Sequence, residues 1–170
     1  MKINKLLCMI IALVFCFASV GALSACKGEE EQSENAGASS PFCVVYKGIT
    51  IQLDKSADNV LEKLGKAKYE DNLGDCGGIG VQMKYTYDDI TVNTLKEQGG
   101  EVIHKIAFVN DLVETPKGIS IGSSEAEVKS AYGEPSSTDG GKLLYKSGDL
   151  ELEFSIKDGS VSAVNYRRVR

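Results

Sequence analysis

Five cysteines and one histidine are the residues of this 170-residue chain with the most obvious reactive chemistry. The cysteines, Cys8, Cys16, Cys26, Cys43 and Cys76, contain no Cys-x-x-Cys pair, and with a single histidine beside them the chain lacks the ligand spacing of a zinc site. Any Ser-His-Asp relay would have to use His104. That residue sits among Val102, Ile106 and Phe108 at even spacing, and reads as a packed strand residue rather than a base. There is no Gly-x-Ser-x-Gly elbow. The glycine-rich run 74–80 (GDCGGIG) precedes a strand instead of opening a helix, so it predicts a flexible connection and not a phosphate loop. Asp71, Asp75, Asp88 and Asp89 lack the spacing of a calcium loop and read as solvated turn residues. The expectation is a non-enzymatic chain with no catalytic residues, no metal and no cofactor.

One cysteine has a different chemistry available. Lys2 and Lys5 form a basic start, residues 6–20 run without a charge, and small residues follow up to Ala25. That is the three-part layout of an export signal, shorter in its apolar part than the ~20 residues of a spanning helix. Leu23-Ser24-Ala25-Cys26 resembles the lipobox of bacterial lipoproteins. The resemblance implies diacylglyceryl attachment to the Cys26 thiol and cleavage just before it. It makes residues 1–25 a signal peptide and places the mature chain on a cell membrane or an outer membrane, lipid-anchored, on the extracytoplasmic face. Lipid chains contribute about 0.8 kcal/mol per buried CH₂, enough for two or three chains to hold a protein there.

Residues 26–41 carry no aromatic and no β-branched residue, so they cannot bury enough apolar surface to offset their ordering entropy. They read as a lipidated flexible tether. Loss of Lys2 and Lys5 with the signal leaves 17 basic and 24 acidic residues, a mature net charge near −7. An acidic domain excludes nucleic acid as a natural partner. Once Cys8 and Cys16 leave and Cys26 takes lipid, Cys43 and Cys76 remain in a disulfide-permissive compartment. A bridge between them would contribute about 4 kcal/mol in the chain-entropy model; two buried thiols are the alternative.

The remaining chain shows self-similarity. Lys47-Gly48-Ile49-Thr50-Ile51 matches Lys117-Gly118-Ile119-Ser120-Ile121, and helical periodicity follows each, over 56–64 and 124–132, closed by Gly65 and Gly133. Alternating segments at 81–87, 90–92, 101–109, 143–145, 150–156 and 161–166 then predict strands, with turns at Asp88-Asp89, Gln98-Gly99-Gly100, Ser147-Gly148 and Asp158-Gly159. The reading is α+β: two tandem helix-plus-antiparallel-meander repeats, 42–113 and 114–170, with helices packed on one face of the sheet.

The second repeat carries a pattern formed by Gly118, Ile119, Ile121, Gly122, Ser124, Glu127, Val128, Tyr132, Gly133 and Pro135. It is similar to the modules of the small lipoproteins of the outer-membrane barrel-assembly machinery, and to the tandem modules of β-lactamase inhibitory proteins. Both resemblances imply binding of proteins rather than catalysis. In the inhibitor family the concave sheet face meets the partner, which makes Tyr85, Tyr87, Tyr145 and Tyr166 the candidate contacts, since tyrosine offers apolar area with a polar tip. The functional expectation is a membrane-anchored protein-binding or scaffold module of the cell envelope with an envelope protein as partner. The alternative is a binding protein for a small ligand or envelope polymer.

Overall fold

The structure is a computed structural model that describes residues 41–75, 78 and 80–169, all within one compact unit spanning 36–170. The signal peptide, the lipobox residues Leu23, Ser24 and Ala25, Cys26, most of the tether and Cys76 lie outside the described residues.

The fold is mostly β. A hairpin comes first, β1 (Cys43–Tyr46) and β2 (Ile49–Gln52), followed by the short helix α1 (Asp58–Leu64). Strands β3 (Tyr69–Asp75), β4 (Val81–Thr86), β5 (Ile90–Glu97) and β6 (Gly100–Phe108) form an antiparallel meander. After helix α2 (Glu125–Tyr132), a second meander is built by β7 (Ser137–Asp139), β8 (Lys142–Ser147), β9 (Leu150–Lys157) and β10 (Ser160–Arg168). Both meanders belong to one eight-stranded antiparallel sheet in the order β3-β4-β5-β6-β10-β9-β8-β7. The join is narrow: β6 and β10 align Lys105, Ile106 and Ala107 with Arg167, Tyr166 and Asn165.

This corrects the α+β repeat expected from the sequence. The two helices lie where periodicity places them, but they are only seven and eight residues long, and α1 buries none of its own residues. Strands supply most of the interior. The two matching Lys-Gly-Ile openings also diverge. Lys47-Gly48 is the turn of a hairpin, with both residues at positive φ (51° and 77°), as a tight two-residue connection requires. Lys117-Gly118 instead closes a loop turn in which the Gly118 amide donates to the Thr115 carbonyl. Two further strands escape the sequence pattern. β3 is polar and exposed, and β7 has three exposed residues; both are sheet edges, where one-sided burial no longer dictates alternation. One sheet runs through both segments, 42–113 and 114–170.

The core lies on one face of the sheet. Ile90, Val92, Ile103, Ile106, Phe108, Leu143, Leu152, Phe154, Val161, Val164 and Tyr166 face Phe42, Val44, Tyr46, Ile51 and Leu53 of the hairpin segment, with Ala57 and Val128. Helix α2 is entered through a capping box. The Glu127 amide donates to Ser124 Oγ at 3.2 Å, and the Ser124 amide donates to the Glu127 carboxylate at 2.7 Å. The Ser124 amide and the Ser124 hydroxyl, both donating to the Glu127 carboxylate, hold it below the usual carboxylate range. Helix α1 has no such box: Ala57 is its cap, without a side-chain bond, and Ser56 makes a β-bridge to Val102. Ser124→Ala is therefore expected to lower stability by about 1 kcal/mol in chemical denaturation, while Ser56→Ala changes it by less than half of that.

Candidate binding face

The alternation of β9, Leu150-Glu151-Leu152-Glu153-Phe154-Ser155, sends leucine and phenylalanine to the core and two glutamates to the opposite face. β8 places Lys142, Leu144 and Lys146 on that face, and β10 places Asn165 and Arg167 there. Glu151 exposes only 1% of its surface and Glu153 only 4%, although neither belongs to the hydrophobic core. Their neighbours cover them. Arg167 Nε donates to Glu151 Oε1 at 2.6 Å, and the terminal guanidinium nitrogen of Arg167 also pairs with Glu151. Lys146 Nζ reaches Glu151 at 3.3 Å, Lys142 Nζ reaches Glu153 at 3.1 Å, and Arg167 spans to Glu153 at 3.5 Å. The side chains of Lys142, Lys146 and Arg167 are themselves 40–47% exposed. Burial pushes the Glu151 carboxyl up, but the hydrogen bonds and charges of Arg167 and Lys146 together hold it below the usual glutamate range.

The strand register extends this cluster across the sheet. Directly aligned residues form one row, Asp71, Lys84, Asn93, Lys105, Arg167, Glu151 and Lys146, over seven adjacent strands. The next row on the same face is Tyr69, Thr86, Thr91, Ala107, Asn165, Glu153, Leu144 and Ser137. The first row is charged and the second nearly neutral. Among the described residues, the hydrophobic cluster lies wholly on the other side of the sheet; Leu95 and Leu144 are apolar residues buried on this one.

The four tyrosines expected to meet a partner sit on the covered face. Tyr85, Val92, Ile106, Tyr166, Leu152 and Tyr145 form a core row, with Tyr145 and Tyr166 buried and Tyr85 half-buried. Tyr87 and Tyr145 do the same local job: their hydroxyls donate to the carbonyls of Gly65 (3.4 Å) and Gly133 (2.9 Å), the glycines that end α1 and α2. Tyr85 donates to Glu101 at 3.2 Å, and burial beside that carboxylate pushes its own pKa up to about 12. The tyrosine presented on the uncovered face is Tyr69, 63% exposed on the edge strand. The sequence sets Tyr69 beside the strands with the other tyrosines but not among the four candidate contacts, because β3 carries no strand signal, and the charged row is not legible there because register is a property of paired strands.

The other singled-out residues are placed as follows. Cys43 is buried at the start of β1, and burial pushes its thiol up. His104 is half-buried beside the register shift of β5 and β6, next to Lys105. Asp89 accepts from Tyr46 Oη at 2.9 Å and Asn110 Nδ2 at 2.8 Å, which ties the hairpin to the β4–β5 turn; the Asn110 and Tyr46 bonds hold its carboxyl low. Among the described residues, no group of three His, Cys, Asp or Glu could hold a metal. A separate hollow of about 320 Å³ is lined by Phe42, Lys117, Tyr132, Tyr145, Leu150 and Leu152, among others.

No protein-family model matches the chain, and no curated protein matches it by sequence. A solved structure of an extracellular protein containing a SCP domain from Bacillus anthracis str. Ames is similar at 12% identity with a TM-score of 0.40. That likeness covers 68% of this chain and 44% of the other, so this chain spans less than half the length of that neighbour. No helix of the described residues is long and apolar enough to cross a membrane.

Proposed function

We propose that the chain is a lipid-anchored extracytoplasmic lipoprotein of the lipobox class, whose folded part binds another envelope protein through the uncovered face of its eight-stranded sheet. The observation that carries the binding reading is the charged row on that face. A sheet face that no described element covers has no structural need for two nearly buried glutamates held by three cations, and ordered ion-pair networks are a costly way to decorate a surface. Such fixed charges suit recognition, where they set register and exclude wrong partners. The anchor reading is supported by Leu23-Ser24-Ala25-Cys26 and the apolar run before it.

Two experiments test the two halves. Cys26→Ala is expected to move the protein from the membrane fraction to the soluble fraction; retention in the membrane would overturn the anchor. Photo-crosslinkers placed at Thr91 and Ala107, on the uncovered face, are expected to give one discrete adduct in cells. The same probe at Glu62, exposed on α1, should give none. Equal labelling from all three positions, or no adduct at all, would overturn the docking face. A second reading, binding of a small ligand, is favoured by the aromatic-lined hollow with Lys117 at its rim, whose volume falls near the lower end of small-molecule sites.

A further inference from the structure

The uncovered face carries a second message in its unneutralised charges. Within the charged row, Lys84, Lys105, Arg167 and Lys146 stand against Asp71 and Glu151, so the row is net positive on a chain whose formal charge is −5. The imbalance is local. Arg167 and Lys146 are occupied by Glu151, but neither Lys84 nor Lys105 has a carboxylate within ion-pair distance among the described residues. Lys105 also stands directly opposite Arg167 across the β6–β10 join. Like charges aligned across two strands destabilise a sheet, and here they lie at a junction of only three aligned pairs. Asn93 fills the place between Lys84 and Lys105 and adds an amide donor.

We propose that Lys84, Asn93, Lys105 and Arg167 form a receiving site for a carboxylate-bearing segment of an acidic partner protein. The inference rests on the docking-face reading above and gives that partner a chemistry. The four residues occupy four adjacent strands, a stretch of about 14 Å at the usual strand spacing, or roughly four residues of extended peptide. The row beside them, Tyr69, Thr86, Thr91, Ala107 and Asn165, is uncharged, with the exposed aromatic ring of Tyr69 at one end and the small Ala107 next to the other. That neutral strip gives the apolar and hydroxyl groups of a peptide something to pack on. It gives a long polyanion nothing, because it adds no cation beside the four-residue stretch. A short acidic peptide segment fits both rows.

The test uses the full mature chain and a synthetic peptide of alternating glutamate and threonine, with a glutamine-threonine peptide and inorganic polyphosphate as comparisons. Binding of the acidic peptide is expected to weaken with added salt, and to fall roughly tenfold or more in Lys84→Glu/Lys105→Glu. Lys105→Gln separates recognition from folding. Removing the like-charge pair with Arg167 should leave the thermal midpoint equal or higher while peptide binding drops. The proposal is overturned if the acidic and glutamine peptides bind alike, if the double variant binds as the parent does, or if polyphosphate alone binds. The crosslinking adduct from Ala107 distinguishes the layers. Its persistence in Lys84→Glu/Lys105→Glu leaves the docking face standing and removes the charge site, whereas its absence in the parent chain removes the docking face itself.

Discussion

Tyr166→Ala is expected to destabilise the fold by about 3–5 kcal/mol, and Tyr166→Phe to stabilise it by about 1 kcal/mol. Tyr166 lies at the join of the two meanders, aligned with Ile106 on one side and Leu152 on the other, and is fully buried. Its ring packs on Phe108 with centroids 6.1 Å apart, so the aromatic body is part of the contact that makes one sheet out of eight strands. Truncation leaves a cavity that a narrow three-pair junction has little means of closing. The hydroxyl is another matter. Among the described residues neither it nor the nearby Tyr132 hydroxyl meets a partner in full hydrogen-bond geometry, and burial, with the Tyr132 hydroxyl and the Cys43 thiol close by, pushes the Tyr166 pKa well above the tyrosine range. A buried polar group without a partner carries its desolvation cost in full. Phenylalanine keeps the ring and removes that cost. Urea denaturation of the two variants beside the parent decides the matter; a loss of stability in Tyr166→Phe would show that the hydroxyl is bonded after all.

What could be read from residues alone follows burial. Leu150-Glu151-Leu152-Glu153-Phe154 alternates because one side of β9 is covered, and the strand lies where that pattern places it. Ser124 and Glu127 mark the start of α2 because capping is a local interaction. The fold class was not legible for two reasons. Helical periodicity over nine residues looks the same whether the helix forms a layer of the core or, like α1, contributes only half-buried side chains at its margin. The edge strand β3, Tyr-Glu-Asp-Asn-Leu-Gly-Asp, is held by the backbone of β4, and main-chain pairing leaves no trace in a polar sequence. The tyrosines show the same limit. Tyr85, Tyr87, Tyr145 and Tyr166 lie in or beside strands, but strand position does not say which face they take. Tyr87 and Tyr145 reach the carbonyls of Gly65 and Gly133, residues 22 and 12 positions away in the chain. The candidate face needed even more: Lys84, Lys105 and Arg167 become neighbours only once β4, β5, β6 and β10 are aligned.

Glu151→Gln is expected to cost about 2 kcal/mol at neutral pH, less than the 3–5 kcal/mol of breaking a fully buried pair, because Arg167 and Lys146 keep access to water. The pH dependence carries the stronger information. The folded-state pKa of Glu151 lies below its unfolded value, so its contribution is complete above the unfolded pKa, about 4.3, and is lost as the pH falls through the lower folded value. Asp89 and Glu127 are depressed as well and bend the acid limb of any single stability curve. They are common to parent and variant, so the difference between the two isolates Glu151. That difference should be flat above about pH 5 and shrink toward zero at lower pH; a difference that ignores pH would mean that glutamine fails for reasons of fit rather than charge. The same carboxylate fixes where the Arg167 guanidinium sits. Glu151→Gln should thus also weaken binding of the acidic peptide, although the variant adds net positive charge to the row. Charge alone predicts tighter binding, so a weaker interaction identifies Glu151 as the residue that holds Arg167 in its receiving position beside Lys105.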